Sequence, residues 1–510
     1  MFQPKNDSEV SPGTSKGGAA TCPISGFTTS VEGVRNQLIK RRGGASDARL
    51  IGVAVTSRND VGRRYRSGSI ADEEAFRLAS EEFSHRSLSP DQVITPPAGH
   101  LNHLRGFFNI VLYGMEQWAD LFSPRQILSV TTFARLVLEV ERHAKLESDL
   151  LIAVQTCLAL TVDRIAEKLT SVARWDVTRE NPQGTFGRQA LPMVWDFCEV
   201  NPFSGSGGDW ETALDWVARV IESNAIMSNS QACIGHAEQA SATEHPLPDD
   251  SVASIFTDPP YYAAVPYADL SDFFYSWLKQ TVGPCYPRMF SDELTPKPKE
   301  LVSLAHRAAM YREKTGAWFE ERMGVACSEA RRVCQPGGVG VIVFANKETA
   351  GWEAMLSAMI SAGWILTASW PIDTEMGSRL RGQNSAALAS SIHLVCRPRE
   401  NPDGSLRTAD IGDWRDVLAE LPRRIHEWMP RLAEEGVVGA DAIFACLGPA
   451  LEIFSRYSRV EKASGEIVTL REYLEYVWAA VAKEALAQVF KDADTAGFEP
   501  DARLTAMWLW

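Results

Sequence analysis

The segment "TDPPYY" at residues 257–262 combines groups that could bind a polar ligand. Asp258 lies one residue after the apolar run "SVASIF", and Pro259 and Pro260 separate it from Tyr261. Proline lacks a backbone N–H and restricts the preceding residue to extended conformations, so the pair holds this segment extended with its carbonyl oxygens pointing outward. These residues form either a binding edge rich in hydrogen-bond acceptors or a stiff loop.

The surrounding pattern predicts the elements that position this segment. Short apolar runs predict strands near 231–235, 251–257, 338–345, 364–370 and 390–397, and Pro336-Gly337-Gly338 predicts a turn before the third of them. Helical periodicity appears at 267–280, near 312–334 and at 348–363. Continuous apolar strands alternating with helices indicate an α/β doubly wound sheet, here ending in an antiparallel hairpin. Asp258 is then expected at the carboxyl end of a central strand, where such sheets bind ligands.

Outside these elements, helices are predicted mainly in residues 110–170 and in the carboxyl-terminal region. Residues 1–95 begin with a polar Gly/Ser/Pro-rich tail and show no long amphipathic helix, whereas residues 110–170 predict two long helices, the first capped by Ser123. Residues 190–223 predict a strand, a Gly-rich loop and a helix, and helices fill most of 410–490. The predicted segments are therefore 1–95, a domain at 96–400, and a helical region at 401–510.

Composition and charge narrow the class of protein. The 510 residues are 45% hydrophobic and 23% charged, as in ordinary globular proteins, and no secretory signal or membrane-spanning run is apparent, so a cytoplasmic location is expected. A net charge of −14 argues against nonspecific coating of nucleic acid. Locally, however, residues 35–66 carry nine basic and two acidic side chains, including Arg63, Arg64 and Arg66. This stretch is either a solvated flank or a surface that contacts phosphates.

The string Asp258-Pro259-Pro260-Tyr261 resembles the signature of amino-group DNA methyltransferases. The resemblance implies that the Asp258 carboxylate and the Pro259 carbonyl accept the two N–H bonds of an exocyclic amine, which frees the nitrogen lone pair to attack the methyl group of S-adenosylmethionine. Pro260 helps to fix the direction of those acceptors, and Tyr261 stacks on a base extruded from the duplex, because the amine cannot be reached inside the stack.

Longer segments resemble the large prokaryotic adenine-specific DNA methylases that contain a zinc ribbon. They include "TDPPYYAAVPYADLSDFFYSWLK", "YGMEQWADLFSPRQILSVTT" and "ASWPIDTEMGSRLRGQNSAALASSIHLVCRPR". The resemblance implies a class I, Rossmann-like methyltransferase sheet. It also implies an incomplete one, because the family's methyl-donor loop lies upstream of the ribbon, in a region this chain lacks. Of the ribbon only "TCPISGF" remains, with Ser25 in place of a second cysteine, so Cys22 predicts no metal site.

A second Gly-rich loop, "NPFSGSGG", resembles a methyl-donor loop. Asn201, Phe203, Gly205 and Gly207 would contact the donor, since glycines let a backbone approach a bound nucleoside. Two features favour a mimic instead: too few residues follow for a ribose-binding strand, and His236 stands where the family tends to carry Asp. Both interpretations remain open.

The segment "LFSPRQIL" likewise has two interpretations, a contact to the donor through Phe122 and Pro124 or an ordinary helix start. His393, within an apolar strand, is interpreted as a core residue. Arg379 and Arg381 could contact phosphate or be solvated.

Together these features predict an S-adenosylmethionine-dependent methyltransferase of double-stranded DNA, with adenine N6 favoured over cytosine N4 and restriction-modification as the usual setting. In this prediction the chain supplies the target-base half, and a separate chain could carry the missing donor segment. The alternative is a noncatalytic DNA-binding or complex subunit of the same ancestry.

Overall fold

A computed structural model describes residues 9–10, 13–57, 60–87, 94–97, 99–187, 189–228, 235–262, 265–345, 349–372, 391–437 and 440–489. The chain divides into two compact units. The first comprises Met1–Ala237 and Tyr267–Glu300, and the second comprises Glu238–Pro266 and Leu301–Trp510. The protein is α/β, and its largest described sheet, of four strands, lies in the second unit.

The first unit is mainly helical and has three small antiparallel sheets. Their strands are β1 Ser15–Lys16, β2 Ala19–Thr21 and β3 Thr28–Thr29, then β4 Val53–Ser57 with β5 Asp60–Arg66, then β6 Trp175–Asp176 with β7 Asn181–Pro182. The helices are α1 Val31–Ile39, α2 Ile70–Ser87, α3 Pro124–His143, α4 Ser148–Ala166, α5 Trp210–Ser228 and α6 Tyr267–Thr281. Short 3-10 turns cover Arg42–Asp47, Asn109–Tyr113, Trp118–Leu121 and Lys297–Lys299.

Local sequence explains where α3 begins and which face it buries. Ser123 accepts a hydrogen bond from the Gln126 N–H at 3.3 Å, and the Gln126 side chain accepts one from the Ser123 N–H at 2.8 Å, which completes a capping box ahead of Pro124. Ile127 and Val130 then continue the buried stripe at helical spacing. Helix α3 is thus fixed by its own cap and by the core of the first unit.

The second unit is built around a mixed sheet in the order β10-β11-β9-β8. Its strands are β8 Val252–Thr257, β9 Cys334–Phe344, β10 Trp364–Ile372 and β11 Ser391–Pro398. Strands β8 and β9 are parallel, and β11 is antiparallel to both β9 and β10, so β8, β9 and β10 run in one direction. Strands β12 Ile411–Asp413 and β13 Arg459–Glu461 form a parallel pair. The helices are α7 Gly316–Val333, α8 Thr349–Ser361, α9 Trp414–Glu434, α10 Ala440–Ala445, α11 Leu447–Ser455 and α12 Leu470–Val489, with a 3-10 turn at Ala309–Tyr311.

Helix α11 packs directly on strand β10. A Cβ at Gly448 would collide with the backbone of Ala368 and Ser369, so only glycine permits this close approach. The Ser369 hydroxyl donates to the Ala445 carbonyl at 2.8 Å and accepts from the Gly448 N–H at 2.8 Å. These bonds satisfy polar groups at the helix start and cover that side of the sheet.

Most elements predicted from periodicity are confirmed. The two long helices within 110–170 are α3 and α4, the helices predicted at 267–280, 312–334 and 348–363 are α6, α7 and α8, and helices fill most of 410–489. The predicted strands at 251–257, 338–345, 364–370 and 390–397 are β8, β9, β10 and β11, and the last two form the expected antiparallel pair. Residues 231–234 of the strand predicted at 231–235 lie outside the described ranges, and Gly235 is not in a strand.

Three local predictions are wrong. Residues 70–87 form the 18-residue helix α2, although residues 1–95 show no long amphipathic pattern. Pro336-Gly337-Gly338 lies inside β9 at an irregularity in its pairing with β8 rather than in a turn before it. The segment before "NPFSGSGG" forms only isolated bridges and no strand, as at Leu191 and Phe197.

Apolar periodicity does not predict helix α2, because ion pairs along its surface stabilise the helix instead of an apolar stripe. Arg77 forms ion pairs with Glu74 and Glu81, and Arg86 forms one with Glu82, all at three- or four-residue spacing. Its amphipathic pattern is consequently weak.

No helix in the described ranges is both long and apolar enough to span a bilayer.

Candidate functional site

Asp258 lies one residue beyond the carboxyl end of strand β8. Because β9 runs parallel to β8 and ends at Phe344, the carboxyl ends of both strands lie at the same edge of the sheet. Asp258 is exposed, and within the described residues no hydrogen bond or ion pair engages its carboxylate. The carboxylate is thus presented outward as a hydrogen-bond acceptor.

The position of β8 in the sheet corrects one expectation. Among the described strands β8 is terminal, not central, since its one partner there is β9. Phe256, two residues before Asp258, is 67% exposed and contacts the ring of half-buried His393 at 5.7 Å. Apolar surface therefore lies close to Asp258.

The chain reverses sharply just after the two prolines. The Tyr262 N–H donates to the Pro260 carbonyl at 3.1 Å, which closes a three-residue turn centred on Tyr261. Tyr262 has φ 55°, a left-handed conformation that non-glycine residues rarely adopt. Its own carbonyl accepts the Ser303 N–H at 3.0 Å. The Pro259 carbonyl takes no part in either bond.

Two tyrosines anchor this turn to the core of the second unit. Tyr261 is half-buried and meets Phe344 edge-to-face, with ring centroids 5.6 Å apart. Tyr262 meets Phe319 of α7 in the same way at 5.1 Å. A Cβ at Gly316, the first residue of α7, would lie inside van der Waals contact of the Tyr262 hydroxyl. Backbone and ring contacts together hold the residues beside Asp258 in one conformation.

The Gly-rich loop lies in the first unit and precedes α5. Asp209 is 1% exposed and caps the helix, because its carboxylate accepts the Thr212 N–H at 2.9 Å and the Ser206 N–H at 3.1 Å. The Asn201 side chain accepts the Phe203 N–H at 3.0 Å. The loop is therefore organised by its own hydrogen bonds.

The loop residues predicted to contact a donor differ in their surroundings. Phe203 is 76% exposed and its ring lies 5.6 Å from that of Phe133. Gly205 has φ 66°, which requires glycine, whereas a side chain at Gly207 would enter open space at an ordinary backbone angle. Open space at Gly207 leaves room for an approaching ligand. Neither glycine follows a strand of the four-stranded sheet.

Phe122 and Pro124 are placed as the ordinary helix start requires. Phe122 is 5% exposed, and its ring centroid lies 6.0 Å from those of both Phe273 and Trp277. Pro124 is the first residue of α3, behind the Ser123 cap. This arrangement favours the structural interpretation of "LFSPRQIL" over a contact with a donor.

The basic stretch is largely engaged within the first unit. Arg66 forms a two-point ion pair with Asp72. The Arg63 guanidinium lies over the Trp175 ring, 5.4 Å from its centroid, and donates a hydrogen bond to the Ser206 hydroxyl in the Gly-rich loop at 3.2 Å. Arg64 also has an interaction partner. Further ion pairs join Arg41 to Asp47 and Arg42 to Asp120. The local excess of positive charge is thus smaller than the sequence count implies.

For two arginines and one cysteine named in the sequence analysis, the structure assigns no contact to a ligand. Arg379 and Arg381 lie outside the described residues. Cys22 sits in the turn between β2 and β3, and a hydrogen bond with the Ser25 side chain lowers its pKa. Among the described side chains no group of three or more His, Cys, Asp or Glu is arranged to hold a metal ion.

Comparison with protein-family models, with curated proteins and with solved structures finds no match. Membership of the zinc-ribbon methylases accordingly stays a prediction. The structure does bring together Asp258, Pro259, Pro260 and Tyr261, and it adds Tyr262 and Gly316, which sequence reasoning did not identify. The doubled tyrosine of "PPYY" was the available signal for Tyr262. Gly316, 54 positions along the chain, gave no local sign of its contact.

Proposed function

We propose that this chain is the target-base part of an S-adenosylmethionine-dependent DNA amino-methyltransferase, with adenine N6 as the preferred acceptor. The observation that carries the proposal is the placement of Asp258. Its carboxylate is exposed at the carboxyl edge of two parallel strands and is followed by two prolines and an anchored tyrosine. Open α/β sheets bind their ligands at this edge.

The order of the four strands supports the finer fold class. Three strands run in one direction, and the antiparallel strand β11 lies between the second and the third of them. This arrangement agrees with the carboxyl-terminal half of a class I methyltransferase sheet, in which the strand bearing Asp258 precedes the remaining strands along the chain. The terminal position of β8 is consistent with a half sheet.

The chemistry assigned to the site concerns the accepting amine. An exocyclic amino group has two N–H donors, and the Asp258 carboxylate, free of partners within the described residues, can accept one of them. The Pro259 carbonyl takes no part in the turn's own hydrogen bond and would accept the other. Bonds in these two directions draw the nitrogen toward tetrahedral geometry and release its lone pair from the ring.

Tyr261 bounds the space in which the base would lie. Phe344 contacts its ring edge-to-face, and the side chain is half-buried. A base stacked on a tyrosine gains about 1–3 kcal/mol. The buried Phe344 and the Pro260–Tyr262 bond fix the orientation of that ring before any base arrives.

The residues predicted to bind the methyl donor do not form a donor site by themselves. Phe122 is in the core, and the Asn201 side chain is used inside the loop. We assign no step to the donor from these residues. Open space at Gly207 favours a ligand there.

That disagreement favours a second candidate, a noncatalytic DNA-binding or complex subunit that retains the target-base geometry. The two candidates differ in methyl transfer. The test is transfer of a labelled methyl group from S-adenosylmethionine to unmethylated double-stranded DNA by the full chain, with calorimetric titration of the donor alongside.

Asp258→Asn keeps the size of the side chain but replaces one acceptor oxygen with a donor. We expect it to lower transfer by about 100-fold or more, as loss of a group aimed at a reacting centre does, with unchanged thermal stability. Asp416→Asn, at an exposed aspartate in the first turn of α9, is the matched control and should retain full activity. Wild-type transfer by Asp258→Asn would refute the proposed role.

Gly207→Val tests the loop separately, because it fills open space without backbone strain. Loss of donor binding with normal folding would establish "NPFSGSGG" as a donor loop. DNA binding without donor binding or transfer in the wild-type chain would instead support the noncatalytic subunit.

A further inference from the structure

A pocket of about 290 Å³ lies entirely within the first unit. One wall is formed by Leu101, Phe108 and Trp118, each no more than 3% exposed. The rings of Phe108 and Trp118 meet edge-to-face with centroids 5.9 Å apart. The volume lies just below the range for ligand pockets, roughly 300–1,000 Å³, and the walls suit a flat apolar body.

The opposite wall is polar and rich in carboxyl groups. Asp269 and Asp272 lie one turn apart on α6 and are 3% and 4% exposed. Lys297 forms an ion pair with Asp272 at 2.5 Å, and the Thr295 hydroxyl donates to the same carboxylate at 2.6 Å. Two carboxyl groups, one ammonium group and the exposed His100 line the pocket, which gives a formal charge of −1 with the histidine counted as neutral. The pocket therefore disfavours anions and favours groups that donate N–H bonds.

The wall of the pocket also carries a hydrogen-bond donor that has no acceptor. Trp118 lines the pocket, and its indole Nε1–H is buried without a hydrogen-bond partner in the described part of the chain. Buried polar groups nearly always find a partner, and one that does not calls for an explanation such as a ligand or a water molecule. Here an acceptor atom on a bound molecule would satisfy it.

We propose that this pocket binds an unphosphorylated amino-substituted nitrogen heterocycle of the aminopurine or aminopyrimidine class. The ring contacts Phe108 and Trp118, a ring nitrogen accepts the Trp118 N–H, and the exocyclic amino group donates to the carboxyl groups on α6. The proposal goes beyond the function assigned to Asp258. The pocket belongs to the first unit and Asp258 to the second, and its test involves no methyl transfer.

Adenine is the probe, and binding to the full chain is measured by ligand-observed NMR titration. We expect a Kd of about 1 mM or tighter. Adenosine 5′-monophosphate should bind at least about tenfold more weakly, because its phosphate enters a pocket with more carboxyl than ammonium groups. Equal affinity for the two probes, or no binding of adenine at about 10 mM, would overturn the proposal.

Trp118→Phe retains an aromatic wall and removes the N–H, so adenine affinity should fall by about threefold to tenfold, the ordinary contribution of one uncharged hydrogen bond. Trp277→Phe is the matched control. Trp277 is also fully buried in the first unit, and its Nε1 has no partner among the described residues, but it does not line the pocket. Equal affinities of the two variants, measured on samples shown to be folded by circular dichroism, would contradict the assignment of Trp118.

Discussion

The contact between Gly316 and Tyr262 allows a sharp test of how the turn after Asp258 is held. A Cβ at Gly316 would lie well below 3.0 Å from the Tyr262 hydroxyl, whereas the next nearest atom, Cζ of the same ring, is 3.3 Å away. The ring has little freedom to yield, because it packs on Phe319 and the Tyr262 backbone is already left-handed. Gly316→Ala should therefore destabilise the second unit by about 1–3 kcal/mol, as overpacking does.

The chain offers both a control and a rescue. Gly324 lies in the same helix, and a Cβ at this position would meet nothing within 4 Å, so Gly324→Ala should stabilise by roughly 0.5–1 kcal/mol through helix propensity alone. Tyr262→Phe removes the colliding hydroxyl. In that background Gly316→Ala should lose most of its cost, a coupling of about 1–2 kcal/mol in a double-mutant cycle.

Urea-unfolding midpoints followed by circular dichroism measure all four variants. If the proposed function holds, Gly316→Ala should also reduce methyl transfer, since it displaces the residue that closes the turn beside Asp258. The reasoning is refuted if Gly316→Ala is as stable as Gly324→Ala, or if its cost is unchanged when the Tyr262 hydroxyl is absent.

Three further predictions concern the first unit. Burial raises the pKa of Asp163 well above its usual value, so the unfolded chain releases this proton near pH 4 while the folded chain keeps it, and the stability of the fold decreases as the pH rises above about 4. The gain in urea midpoint from Asp163→Asn should accordingly be larger at about pH 7.5 than at about pH 4.5. An equal gain at the two pH values would contradict this. Gly205→Ala should destabilise by about 1 kcal/mol because φ is 66°, while Gly207→Ala, at an ordinary angle in open space, should be nearly neutral by thermal melting. Because Arg66 is paired with Asp72, Arg66→Ala should have little effect on the salt dependence of DNA binding. The slope of log affinity against log salt concentration should change by less than the roughly 0.9 expected for one phosphate contact. A full change would show that Arg66 leaves Asp72 and contacts the phosphate backbone of DNA.

Periodicity and capping determined the elements with strong local signals. Helix α3 carries its own cap and apolar stripe, and strands β10 and β11 are continuous apolar runs joined by a segment with no helical pattern. Such signals depend on residues a few positions apart, so they can be read along the chain. The candidate site was predictable to the same extent, because Asp258 to Tyr261 are consecutive and end a recognisable strand.

Where local and long-range preferences disagreed, tertiary structure decided. Pro336-Gly337-Gly338 has the composition of a turn, yet pairing with β8 places it inside β9. Helix α2 is a different case, because it lacks an apolar stripe and is supported by ion pairs within the helix, which a search for apolar periodicity does not detect. In both cases the deciding interactions lie outside the local apolar pattern that sequence reasoning uses.

The sequence alone determined which residues could do chemistry at Asp258 and that a sheet would present them. Only the tertiary structure showed that β8 is terminal among the described strands, that Gly316 closes on Tyr262, and that the Gly-rich loop and Asp258 belong to different compact units. Contacts between residues tens of positions apart depend on how whole elements pack, and that packing is set by the complementarity of many side chains at once. No short pattern along the chain contains that information.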